Sequence, residues 1–153
     1  IDEQIKGVYH YVHSPGSTLV VPFLDNETIL LVHQYRYLMR DSFYEFPCGA
    51  IKDGLSPEEN AQVELREETG FAAGQLSFIG KFAPYNGVAD EWCHVYTAKN
   101  LNHFPLPPEQ TEDLYVEAFT THQIQDLIIQ GRFQDGMSLA AWCLVNTHGG
   151  SMP

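Results

Sequence analysis

The sequence predicts an α+β domain, an α/β/α sandwich in which a mixed β-sheet is flanked by helices. Three observations lead there. Apolar runs of strand length recur along the chain and are separated by turn residues. One segment near the middle carries a complete helix start and stop. Strands and helices are interspersed rather than segregated, which calls for helices packed over a sheet. The 153 residues and 44% apolar content suit a single globular domain, 1–153, with a core of its own.

Residues 7–12 alternate weakly and are expected to form a strand, followed by a turn at His13-Ser14-Pro15-Gly16. Residues 18–24 and 28–33 are apolar runs on either side of Asp25-Asn26-Glu27, so they are expected to form a hairpin. Residues 43–46 make another short strand before Pro47 and Gly49. Residues 56–69 are the clearest helix. Ser56 is its N-cap, Pro57 takes the first helical position and Glu59 completes a capping box. Gly70 stops it, and Ala61 and Leu65 face the core. Strands are expected at 76–82, 92–98 and 114–119, and helices at 121–130 and 138–145. The Pro-rich connection 100–111 is of the length that often covers an active site.

Eight basic residues against twenty acidic ones give a formal charge of −12. That balance repels nucleic-acid backbones and anionic membranes, so no nucleic-acid or membrane partner is expected. It leaves anionic small molecules open, because a bound cation inverts the local field. Cys48, Cys93 and Cys143 are odd in number and show no ligand spacing. They are expected to be reduced core thiols in a cytoplasmic protein. The start, Ile1-Asp2-Glu3-Gln4, has neither an initiator Met nor a leader pattern. The seven histidines show no ligand spacing and are expected to be structural.

The chemistry lies in Val63-Glu64-Leu65-Arg66-Glu67-Glu68-Thr69-Gly70. Glu64, Glu67 and Glu68 stand at i, i+3 and i+4 and share one helix face, where like charges cost about 0.2–0.5 kcal/mol per pair. They also lie in the last turns, where the helix dipole disfavours anions. Two readings are open for such a row. It is a solvated acidic face partly balanced by Arg66, or it holds a hard divalent cation such as Mg2+ or Mn2+ that keeps waters for a phosphate to replace.

Residues 49–71 resemble the Nudix box, G-x5-E-x7-R-E-U-x-E-E-x-G-U with U bulky and apolar. Gly49, Glu64, Leu65, Glu67, Glu68, Gly70 and Phe71 fall in register. Leu55 stands where the pattern has its first Glu, and Val63 where it has Arg. Tyr35-Arg36-Tyr37 and Glu45-Phe46-Pro47-Cys48-Gly49 are similar to the Q-Y-R and E-x-P-A-G segments of the ADP-ribose pyrophosphatase branch. Residues 85–91 are similar to a loop of that branch, and Ser138-Leu139-Ala140-Ala141 to the start of its last helix. The resemblance spans residues 8–147, with 1–13 a remnant of an N-terminal β extension.

The resemblance implies a metal-dependent hydrolase of ADP-ribose or a related nucleoside-diphosphate sugar, working as a homodimer with Mg2+ or Mn2+. It implies Glu64 and Glu68 as metal ligands, with Glu67 assisting and the backbone carbonyl of Cys48 adding an oxygen. Glu112 is implied as the general base, with Glu109 on the same loop as the fallback; each is otherwise a solvent-facing loop acid. Arg36 is a phosphate clamp or a surface ion pair. Tyr35, Tyr37 and Tyr85 stack on a base or pack at the rim or core, and Glu91 meets a ribose or a metal. Leu55 and Val63 keep an alternative open, a catalytically impaired nucleotide-binding or regulatory module of the same fold. An interaction domain whose acidic helix binds a basic partner is the third reading.

Overall fold

The computed structural model describes residues 7–107 and 113–148. In chain order they form β1 (Ser17–Pro22), β2 (Thr28–Arg36), β3 (Asp41–Glu45), β4 (Cys48–Ala50), α1 (Pro57–Thr69), β5 (Phe71–Phe82), β6 (Cys93–His103), β7 (Leu114–Thr120), α2 (Thr121–Ile129) and α3 (Gly136–His148). Four strands make a mixed sheet in the order β4-β1-β6-β5, with β1 and β6 parallel. The other three make an antiparallel sheet in the order β3-β2-β7.

The expected hairpin of β1 and β2 does not form. The turn is tight, with Asp25 Oδ1 accepting from the Glu27 and Thr28 amides at 2.8 and 2.7 Å. Pairing beyond it stops at one bridge, Phe23 with Ile29. The chain then changes sheet, because β1 is buried along its whole length and both of its edges are taken by β4 and β6. A strand with both edges taken has no hydrogen-bonding side left for its sequence neighbour.

Alternation along β1 divides the core. Val20 points to Ala61, Leu65, Tyr96 and Ala98, so α1 covers one face through the stripe expected of it. Leu19 and Val21 point to the other face, with Ile29, Leu31, Phe46, Phe119, Ile124, Phe133 and Trp142. There the sheet meets β2, β7, α2 and α3. Burying one leucine or valine on such a face is worth about 1.5–3 kcal/mol.

Two further expectations change. Residues 7–12 form no strand; Val12 alone bridges Ala89, and Val8, Tyr9 and Tyr11 stay exposed. The connection expected from residue 100 begins later, since β6 runs to His103 and pairs it with Phe71. β5 correspondingly starts at Phe71, directly after the left-handed Gly70 cap. No helix among the described residues is long and apolar enough to cross a membrane.

Candidate active site

Ser56 and Glu59 form the expected reciprocal cap, and Gly70 closes α1 with φ 77°. That fixes where the helix ends, and so which way the glutamate row faces. Glu64 and Glu68 are each only 5% exposed and lie against β4. A Cβ on Gly49 would stand 2.2 Å from Glu64 Oε2, so the glycine's bare backbone is what lets this carboxylate settle. The Cys48 amide donates to Glu68 Oε1 at 3.3 Å. Glu67 turns to the rim and accepts from Lys52 Nζ at 2.5 Å, and the same ammonium lies 3.5 Å from Glu64 Oε1.

These residues fit a hard divalent ion. Among the described residues no three acidic, His or Cys side chains form a ready-made metal cage. The donor set is two neighbouring buried carboxylates with the Cys48 backbone beside them, which suits an ion that keeps several of its waters. The Cys48 thiol is held protonated, pushed up by its hydrogen bond to the Cys93 sulfur and by burial. Its side chain therefore offers no thiolate. Cys93 is buried and Cys48 half-buried, while Cys143 is exposed on α3, contrary to its expected place in the core.

Arg36 ends β2 and is not free to act as a bare clamp. Its Nε donates to Glu45 Oε1 at 2.9 Å and its Nη2 to Glu45 Oε2. Glu45 is buried, and burial raises its pKa while Arg36 draws it back down. The pairing raises the Arg36 pKa in turn, with Asp135 and Glu68 adding to it from nearby. Arg36 and Tyr35 line a cleft of about 740 Å³ with Tyr37, Met39, Glu45 and Asp135. Tyr85 and Glu91 line a second, of about 620 Å³, with Pro84, Asp135, Gly136 and Met137. The start of α3 therefore walls both clefts, and neither is lined by Glu64 or Glu68. Glu91 accepts from Ser17 Oγ at 2.6 Å. Tyr35, Tyr37 and Tyr85 are exposed, which makes them rim residues rather than core.

Glu112 and Glu109 lie outside the described residues. The ends of their connection are placed. The Leu106 amide bonds to the Arg66 carbonyl at 3.3 Å, and the Tyr35 amide to the Asp113 carbonyl at 3.3 Å. Arg66 does not balance the glutamates. It donates to the Phe104 carbonyl at 2.9 Å and stacks over that ring at 4.3 Å.

Lys52 and Asp135 escaped the sequence reading, and Glu45 entered it only as part of the E-x-P-A-G match, with no role. Lys52 had a signal, as the only basic residue between Arg40 and Arg66. Glu45 had one too, a lone acid between aromatic residues, which demands a cation once buried. Asp135 caps α3 by accepting from the Ser138 amide at 2.7 Å, and its place between the clefts comes only from how α3 docks.

A family model described as NUDIX domain matches residues 13–140. The chain is 32% identical over 132 residues to the methanol dehydrogenase activator of Bacillus methanolicus, covering 85% of this chain and 71% of that protein. It is 37% identical over 106 residues to the ADP-ribose pyrophosphatase of Bacillus subtilis (strain 168), covering 69% of this chain and 57% of that enzyme. It therefore spans little more than half of that relative's length. A crystal structure of an ADP compounds hydrolase shares the fold with a TM-score of 0.81 at 24% identity, over 90% of this chain and 75% of that one.

Proposed function

The chain belongs to the Nudix domain family and is ADP-ribose pyrophosphatase-like; from that premise we propose that it hydrolyses the diphosphate of ADP-ribose or a related nucleoside-diphosphate sugar, using Mg2+ or Mn2+. The observation that carries this is the burial of Glu64 against the bare Gly49 backbone and of Glu68 against the Cys48 amide. Two carboxylates in such a place need a cation to offset their desolvation.

Glu64, Glu68 and the Cys48 carbonyl would hold the ion, and Glu67 assists from the rim. When bound, a divalent ion supplies positive charge against the diphosphate oxygens. The chain's own residues do the rest. Arg36, oriented by Glu45, turns the remaining part of its fork to a phosphate oxygen. Tyr35 and Tyr85 offer flat faces to the base, and Glu91, steadied by Ser17, meets a ribose hydroxyl. Glu112 takes the proton of the attacking water. The water oxygen bonds to one phosphorus as that phosphorus loses the bridging oxygen. With ADP-ribose the products are AMP and ribose 5-phosphate. Two bonds flanking Glu112 in sequence support this role: the Leu106 amide to the Arg66 carbonyl near the glutamate end of α1, and the Tyr35 amide to the Asp113 carbonyl at the cleft edge of β2. A homodimer is part of the same proposal.

Leu55 and Val63 support a second reading, a nucleotide-binding module that turns over slowly or not at all. The two separate in an assay with Mg2+ or Mn2+ over ADP-ribose, GDP-mannose, NADH and dinucleoside polyphosphates, read as phosphate released from the products by added phosphatase. Turnover of a nucleotide sugar supports the hydrolase. No turnover at high protein concentration, with ligand binding retained, selects the module.

A further inference from the structure

The Lys52 ammonium lies 2.5 Å from Glu67 and 3.5 Å from Glu64, at the edge of the place where a divalent ion would bind. We infer that Lys52 is a tethered counter-ion that neutralises the glutamate row in the metal-free protein and leaves Glu64 when the metal arrives. This rests on the metal site of the proposed function.

The tether is built into the fold. The Lys52 amide donates to Asn60 Oδ1 at 3.0 Å, and its carbonyl accepts from the Leu55 amide at 3.1 Å. Asn60 is fully buried and donates in turn to Thr18 Oγ1 at 2.9 Å. The backbone of Lys52 is thus bolted to α1 and, through Asn60, to β1, while its side chain stays 36% exposed. Only the flexible stem can move, and it has solvent to move into. An ammonium is compact, carries rotatable donors, and gives up a carboxylate more readily than a planar guanidinium fork does. Such a cation suits exchange better than permanent pairing.

The box makes the exchange necessary. With Val63 in place of the arginine, the pattern's own positive charge is missing from α1. Glu64, Glu67 and Glu68 would then repel one another in the metal-free state with Arg66 turned away to Phe104. Lys52 offsets that repulsion from the neighbouring loop. Once a divalent ion sits on Glu64, an ammonium at ion-pairing distance, 3.5 Å, from the same carboxylate is repelled by a charge of two at close quarters. Lys52 therefore competes with the metal and stabilises the protein without it.

Calorimetric titration of Mn2+ into the wild type, Lys52→Met and Lys52→Arg tests this. Lys52→Met is expected to bind Mn2+ on the order of tenfold more tightly and to melt at a lower temperature in chelator. Its rise in melting temperature on saturation with Mn2+ exceeds the wild type's, and Lys52→Arg, whose fork holds the carboxylate harder, binds Mn2+ more weakly than the wild type. If Lys52→Met does not fold without metal, Lys52→Gln carries the same titration and the same expectation. Mn2+ bound by the wild type, with the charge-removing variant no tighter or weaker, overturns the counter-ion and leaves the metal site standing. No Mn2+ bound by any of the proteins overturns both.

Discussion

In the first turn of α1, Ser56, Pro57, Glu58 and Glu59 satisfy every local preference of a helix start. In its last two turns Glu64, Glu67 and Glu68 oppose them. The acids of the first turn sit at the positive end of the helix dipole, and Glu59 closes a capping box. The acids of the last turns sit at the negative end, two of them buried. One helix therefore carries an end that serves stability and an end that costs it. Stability is spent where the surroundings, β4 and Lys52, can set three carboxylates to use. Substitutions at the two ends should separate accordingly, with function lost at one and melting temperature at the other.

The largest effect is expected at Glu68. Glu68→Gln should lower turnover at least about 100-fold while the melting temperature holds or rises, because a buried like charge is removed. Normal turnover in a folded Glu68→Gln protein would break the comparison at its functional end. Gly49→Ala comes next. Its new Cβ would fall 2.2 Å from Glu64 Oε2, and the carboxylate, as the far end of a side chain, is what must yield. Mn2+ affinity should drop about 10- to 100-fold, with the melting temperature changed far less than by a core deletion. Calorimetry beside thermal melting checks both halves.

At the other end, Ser56→Ala should cost about 1 kcal/mol of stability and leave kcat and KM unchanged. A change in kcat would show that the two ends are coupled. The smallest effect concerns pH. The Ser56 hydroxyl and then its amide hold Glu59 below the ordinary glutamate value of 4.5. A carboxyl depressed in the folded state contributes stability above its unfolded pKa and loses it as pH falls through the folded one. The melting-temperature gap between the wild type and Glu59→Gln should therefore be full above the ordinary glutamate value of 4.5 and close as the pH falls below the depressed folded-state value. A gap that widens in acid would refute the capping role.

Legibility follows the same division. Ser56, Glu59, Gly70, Ala61 and Leu65 were readable because caps and a helical stripe are local, set by spacing along one helix. The glutamate row was readable for the opposite reason, as a local conflict. The sheet assignment of β1 and β2 was not. Their tight turn is local and suggests a hairpin, but the competition between β2 and the pair β4 and β6 for the edges of β1 is settled by residues distant in the chain. Arg36 was singled out as a phosphate clamp or a surface ion pair, and the structure shows it paired with the buried Glu45. Its partner Glu45 lies beyond the turn, opposite Val32 and not opposite Arg36, so the pair is made by the reach of the side chains along the sheet and not by facing positions.

Taken alone, the sequence determined the α+β class, the bounds of α1 and the three carboxylates on one of its faces. Each of those depends on contacts no longer than a helical turn or on a periodicity along the chain. The tertiary structure decided that Glu64 is buried over Gly49 and Glu68 against the Cys48 amide, that Glu67 goes to Lys52, and that α3 walls both clefts. Those outcomes depend on how β4 and the loop after it pack on α1 and how α3 docks. The packing of elements distant in sequence is a property that no stretch of residues carries by itself.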